Sequence, residues 1–320
     1  MRFTDIDTFK EGLQNIFEAH NKVLTEKAIN VFETMLVEND DFDPFSYIDK
    51  AEIEIDEEDC VLTLGKSNEK LANMNIVYLS LPAGYTCPFA AGCKTYAHKK
   101  GGKFKSSGKS ILDAGGDMRC YAASTEARYP NVRESRWSNY ELLKATDDMA
   151  GLISRSIIYY NMHNPDIKIF RIHESGDFFS QEYFDAWIEV ANRHPNILFY
   201  AYTVSLPYWQ DRKDEIPKNL RLIASQGGLR DDIIDKEGFR KAVIVQDKGE
   251  AIKKNLNIDV ADFLAVFGDE DFALLLHGIQ SKESGMSGIA MKNSSLLKKY
   301  AKTLRIAPDR LIKLLGKYVT

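Results

Sequence analysis

Three of the chain's four cysteines fall in one stretch. Cys87 and Cys93 lie in TCPFAAGC with five residues between them, and Cys120 follows after another twenty-six, in RCYAA. Three thiolates on one long connection can hold a metal centre that keeps one coordination position open. A four-iron cluster held by three cysteines leaves one iron free, and cysteine is the usual ligand of iron–sulfur clusters. Zinc would take a fourth ligand, such as His98 or water, in a tetrahedral site. The second gap is too long for a regular finger or ribbon. The competing reading is that the thiols are packed and inert. Clustering favours the metal for these three, and isolation in an apolar run favours packing for Cys60.

These residues need elements to position them. Six short apolar runs read as strands: 76–81, 167–172, 197–204, 220–225, 241–246 and 272–279. Helical patterns between them (138–161 with Ser138 as N-cap, and 180–194 with Ser180) argue for strand–helix alternation and a parallel sheet. The expected fold is α/β: a partial, open TIM-like barrel of parallel strands over 73–280. A doubly wound sheet is the alternative. A small N-terminal α+β lobe (a helix over 5–37 and a hairpin) takes 1–72, and a helical tail broken near Pro308 takes 281–320.

In either arrangement ligands meet the carboxyl ends of the strands. The cysteine loop follows the first strand. His173, Glu174, Ser175, Gly176 and Asp177 follow the second, and Thr203 and Ser205 end the third. Glu174 and Asp177 are candidate acid–base or ligand carboxylates, although Asp177 could instead cap the next helix. Arg171, inside a strand, needs a carboxylate partner, with Glu174 and Asp177 the candidates. Gln226-Gly-Gly reads as a turn, Trp187 as core, Trp209 as lid or packed turn, and His277 as a core histidine.

The net charge is −5, yet Lys94–Lys109 carries six lysines and no carboxylate. Its Gly and Ser content suggests a mobile loop. Lys94, Lys99, Lys100, Lys103 and Lys105 are candidate phosphate contacts. Arg128, Arg133 and Arg136 would extend the patch, and Tyr96 and Phe104 could stack on bases. GGKFKSSGK lacks the order of a P-loop. Tyr96-x-x-x-Lys100 hints weakly at a rolling-circle initiator, without the accompanying metal-binding histidines. No apolar run reaches the roughly 18 residues of a membrane span, and the N-terminus is too polar for a signal peptide. A cytoplasmic protein is expected, where clustered cysteines more often mean metal or redox chemistry.

The segments LPAGYTCPFAAGC, RCYAAS and FRIHESGDFFSQEYFDAWIEVANRHPNILFYAYTVS resemble the phage gene-product-88 family over about residues 76–206. They are also remotely similar to radical S-adenosylmethionine (SAM) enzymes. Those place three cysteines after the first strand of a partial barrel and a Gly-Gly-Glu-like segment after the second. The resemblance implies a [4Fe–4S] cluster on Cys87, Cys93 and Cys120. It implies SAM beside Ser175, Gly176 and Asp177, with Thr203 and Ser205 nearby, and a substrate that is nucleic acid or a nucleotide. Two features depart from that pattern: the cysteine gaps are longer, and Ser-Gly-Asp only approximates Gly-Gly-Glu. The alternative is a non-enzymatic nucleic-acid-binding phage protein in which the cysteines hold a structural zinc.

Overall fold

Runs such as IVYLS and LFYAYT are apolar at consecutive positions, as strands buried on both faces must be. The computed structural model describes residues 61–66, 76–115, 118–165, 167–281, 285–303 and 308–319. The expected helix over 5–37, the hairpin's first strand and Cys60 lie outside them. The strands are β1 (Gly65–Lys66), β2 (Ile76–Ser80), β3 (Thr95–Ala97), β4 (Ile111–Asp113), β5 (Ile169–Ser175), β6 (Leu198–Thr203), β7 (Leu220–Ser225), β8 (Lys241–Val245), β9 (Asn257–Ile258) and β10 (Phe272–Leu275). The helices are α1 (Tyr121–Arg128), α2 (Pro130–Ala145), α3 (Met149–His163), α4 (Gln181–Arg193), α5 (Leu206–Asp211), α6 (Asp232–Glu237), α7 (Lys248–Lys253), α8 (Phe263–Phe267), α9 (Ser287–Thr303) and α10 (Pro308–Leu315).

The main sheet runs β1-β2-β5-β6-β7-β8-β10-β9. β1 is antiparallel to β2 and every other pairing is parallel. From β2 to β10 the neighbours keep chain order without reversal, so the doubly wound alternative is not what forms. The sheet stays open. What stands of the expected architecture is a mixed α/β fold with a mostly parallel sheet, and no sheet closes among the described residues.

Side chains alternate along each strand and feed two cores. Val77, Phe170, Phe199 and Leu222 pack with Leu143, Ile153, Phe184 and Trp187 from α2, α3 and α4. Ile76, Ile169, Leu198 and Ile223 pack on the other face with Ala265 and Val266 of α8 and Leu315 of α10. Trp187 is fully buried and touches Phe170 and Phe199; truncating such a residue costs about 3–5 kcal/mol.

Helix boundaries differ from expectation in one place. The pattern over 138–161 is two helices, α2 and α3. Pro130 starts α2, in keeping with a missing N–H that a first turn does not need. Ser138 is therefore mid-helix. Asp148 starts α3 by accepting from the Gly151 amide at 2.7 Å. Ser180 caps α4 as expected, accepting from Tyr183 N at 3.2 Å. Residues 61–64, the described part of the expected hairpin's second strand (60–64), have no strand pairing. Leu62 and Thr63 instead donate their amides to Ser156 Oγ and Asn139 Oδ1, both at 2.8 Å.

Candidate functional site

The loop after β2 begins with a tight turn. Thr86 donates its hydroxyl to Pro82 O at 2.8 Å, and Cys87 N donates to Gly84 O at 3.3 Å. Gly84 has φ +78°, and a Cβ there would stand 2.3 Å from Thr95 O, so the turn requires glycine. Gly92 N then donates to Gly227 O at 3.2 Å, and Leu229 N to Phe89 O at 2.8 Å. The Gln226-Gly-Gly turn thus pins the cysteine loop to the end of β7. Asp231 holds that turn by accepting from the Gly227 and Gly228 amides.

Cys93 leads into β3, and Cys120 precedes α1. Thr95, fully buried, ties them: its hydroxyl donates to Cys93 O at 3.2 Å and accepts from Cys120 N at 3.1 Å. Gln280 holds the preceding residue from the far end of the sheet, accepting from Arg119 N at 2.9 Å and donating to Arg119 O at 3.1 Å. Sequence reasoning missed both residues. An isolated Thr or Gln carries no signal of such a role.

The three thiols are free and lie close enough to act on one another electrostatically. Burial pushes the Cys87 thiol well above its ordinary value, and Asp177 and Cys120 add to the effect. Burial pushes Cys93 up to about 12, with Cys120 and Asp177 contributing. Burial also raises Cys120, against a pull from the Ala123 and Ala122 amides at the start of α1. Those amides favour the thiolate without completing a capping hydrogen bond. Among the described residues no three His, Cys, Asp or Glu side chains converge as ligands of a single ion. The cysteines are gathered, then, but not onto one point.

Asp177 belongs to this group. It is buried and accepts from Thr203 Oγ1 at 2.6 Å, Val204 N at 2.8 Å and Phe178 N at 2.8 Å. Burial nevertheless pushes its carboxyl up to about 6 against those donors. Thr203 and Ser205 are committed as well: Thr203 accepts from Ser205 N, and Ser205 donates to Phe178 O. Ser175 donates to Leu81 O at 2.8 Å. These hydroxyls lock the strand ends together. Gly176 has φ +87°, and a Cβ would stand 2.5 Å from Thr86 Oγ1.

Glu174 differs from its neighbours. Its Oε2 accepts from Arg136 at 2.9 Å and Ser80 at 3.1 Å, while its carbonyl accepts from Tyr121 OH at 2.6 Å. The side chain remains 28% exposed. Arg136 also meets buried Glu126 at 3.4 Å and the Ala122 carbonyl at 2.8 Å. The predicted partners of Arg171 are corrected: it pairs with Asp262 at 3.0 Å on the other face of the sheet. His173 is buried against Tyr183, and burial pushes its pKa down to about 3.

The lysine run is not a loose loop. Its ends form a hairpin, with β3 pairing antiparallel to β4. Lys94 turns inward to the Cys87 carbonyl, and Lys99 pairs with Glu141 at 2.7 Å over the Trp137 ring. Lys100, Lys103 and Lys105 are exposed at the tip. Arg133 and Arg136 are buried, so they do not extend a basic surface. Tyr96 packs edge-on against Tyr85, and Phe104 against His98. Trp209 stacks flat on Phe239 at 3.7 Å, a packed turn rather than a lid.

Comparison with known proteins adds the following. The family model described as Gene product 88 matches residues 61–293, wider than the stretch that carried the resemblance. The Gene 88 protein of Mycobacterium phage L5 is 36% identical over 89 residues, 26% of this chain and 37% of that relative. The Gene 88 protein of Mycobacterium phage D29 is 35% identical over 89 residues, with the same shares. The matched segment thus spans little more than a third of these curated relatives. No solved structure matches the chain. These matches do not show a likeness to radical SAM enzymes. No helix among the described residues is long and apolar enough to cross a membrane.

Proposed function

The chain belongs to the Gene product 88 family, and from that premise we propose that Cys87, Cys93 and Cys120 hold a [4Fe–4S] cluster in a radical-SAM-like enzyme. The observation that carries the proposal is the meeting of three thiols and Asp177 at the carboxyl edge of the sheet. Partly buried thiols beside a carboxylate are poor places for negative charge, which a cationic group would relieve. The donor set therefore suits a metal centre. Zinc would draw its thiolates to about 2.3 Å from one ion. A four-iron cluster takes each thiolate on a different iron, so its ligands stand apart.

When bound, such a cluster with SAM supplies radical hydrogen-abstraction chemistry, which is the cofactors' own. The chain's residues hold and orient. Thr95 and Gln280 fix the approach of Cys120, the Gly227 turn fixes the loop of Cys87 and Cys93, and Asp177 joins β5 to β6. For SAM, the hydroxyls of Ser175, Thr203 and Ser205 are committed to the protein. Glu174 offers the better contact: its Oε1 makes no hydrogen bond among the described residues and would suit an ammonium group. The open, sequentially ordered sheet is the arrangement a partial barrel requires, with the substrate on its carboxyl side.

The test is iron, sulfide and zinc analysis with an absorption spectrum on protein purified without oxygen, beside Cys120→Ala. About four irons per chain, absorbance near about 400 nm, and loss of both in the variant support the cluster. About one zinc and no colour would replace it with the structural-zinc reading. A folded, metal-free protein would sink both.

A further inference from the structure

A cavity of about 380 Å³ lies between α1 and α9, where the end of β10 meets the turn at Asp259–Asp262. That volume is within the range of small-molecule sites, about 300–1,000 Å³. One wall is planar and aromatic: Tyr121 stacks on His277 with ring centroids 5.6 Å apart and planes 29° apart. Leu274 and Leu297 add apolar surface. Arg128 of α1 and Lys298 of α9 also line it. Both are exposed, and neither has a carboxylate partner among the described residues. The carboxylates within the cavity are already held. Asp262 accepts from Arg171 at 3.0 Å and Tyr200 at 2.9 Å, and Asp259 accepts from Ala265 N at 3.0 Å. The mouth is therefore cationic and the wall suits a flat ring.

We propose that this cavity binds a mononucleotide, with the base against the Tyr121–His277 pair and the phosphate between Arg128 and Lys298. Each part of the ligand answers one feature: stacking for the ring and charge-assisted bonds for the phosphate. A site of this volume takes one nucleotide rather than a strand. Tyr121 follows Cys120, so the cavity adjoins the thiols, yet nucleotide binding there requires no cluster.

The experiment is calorimetric titration of the full chain with AMP, GMP, CMP and UMP, with the matching nucleosides and with inorganic phosphate. At least one monophosphate binds, about tenfold tighter than its nucleoside or phosphate alone. Arg128→Ala and Lys298→Ala each weaken it about tenfold, the effect of one charge-assisted hydrogen bond. Lys236→Ala, at an exposed position on α6, leaves it unchanged. Leu297→Trp fills the cavity and abolishes binding while the thermal transition persists. Absence of binding by a folded wild type overturns the proposal, as does binding indifferent to Arg128→Ala and Lys298→Ala, or weakened equally by Lys236→Ala. Iron is assayed on the same sample. Nucleotide bound without iron supports the cavity and defeats the cluster; iron without nucleotide does the reverse.

Discussion

Arg136→Met keeps most of the packing of a side chain that is 2% exposed and strips its charge. Arg136 lies between two carboxylates, Glu126 at 3.4 Å and Glu174 at 2.9 Å. Glu126 is the one that decides the cost. It is fully buried, and burial already raises its pKa despite the Ala83 amide and Arg136. Removing one member of a buried pair leaves an uncompensated charge and costs about 3–5 kcal/mol. Glu174 is partly exposed, so solvent screening makes its share small. For a chain of this size the urea midpoint should fall by about 1–2 M at neutral pH. The double variant Glu126→Gln/Arg136→Met should recover about half of that, because the neutral amide that replaces the Glu126 carboxylate can still accept from Ala83 N. Arg136 also holds the Ala122 carbonyl at the start of α1, so alkylation of Cys120 should quicken in the single variant. A midpoint shift below about 0.3 M, or a double variant no better than the single, would refute the account of Arg136 as the compensating charge.

Three further outcomes are expected. In metal-free protein at pH 8, iodoacetamide should modify Cys87 and Cys93 far more slowly than a free thiol, since burial raises both, and urea should restore the free-thiol rate; mass spectrometry reads it, and native-state modification at that rate would contradict the burial. His173 has a folded-state value of about 3, below its ordinary 6.5, so the unfolded chain takes up its proton first and stability falls as pH drops below about 6.5. Between pH 6.5 and 5 this amounts to about 2 kcal/mol; the difference between wild type and His173→Leu isolates it, because Asp177, raised to about 6 and of opposite sign, is present in both. Parallel pH slopes for the two proteins would count against it. Gly176→Ala forces a side chain onto φ +87° and into Thr86 Oγ1 and Leu81 Cβ, at 2.5 and 2.7 Å. It should cost about 1–3 kcal/mol, visible as a lower thermal midpoint; an unchanged midpoint would mean the loop relaxes freely.

The strands are legible because each is a short apolar run with both faces covered, a pattern independent of distant context. Leu220–Ser225 is bounded correctly on that signal alone. The helical pattern over 138–161 misleads because Pro130 and Asp148 set the boundaries, while the apolar spacing runs on through both helices. The cysteines are legible as a group on one connection. What holds them is not, since Thr95 and Gln280 act through single hydrogen bonds between residues far apart in the chain. The extension of the basic patch to Arg133 and Arg136 fails for a related reason. Arginines at 133 and 136 look like surface charge until their partners inside the protein are known: the backbone carbonyl of Glu126 for Arg133 and its buried carboxylate for Arg136. Strand-end hydroxyls are identified by position, but position alone does not reveal that backbone carbonyls and Asp177 already take them.

All three cysteines sit within one connection, the path from Ser80 at the end of β2 to Ile169 at the start of β5, which pairs directly beside it. Such a path is costly to close, since the entropy lost rises with the length of chain confined. Any bond that joins the sulfur of Cys87 or Cys93 to that of Cys120 shortens this path by a ring of roughly 30 residues, and by the chain-entropy estimate that restriction stabilises the native pairing by about 3–4 kcal/mol. A group seated on these thiols would therefore act on the chain as a clasp. Its loss would first be felt in the pairing of β2 with β5, well away from any chemistry at the sheet's edge.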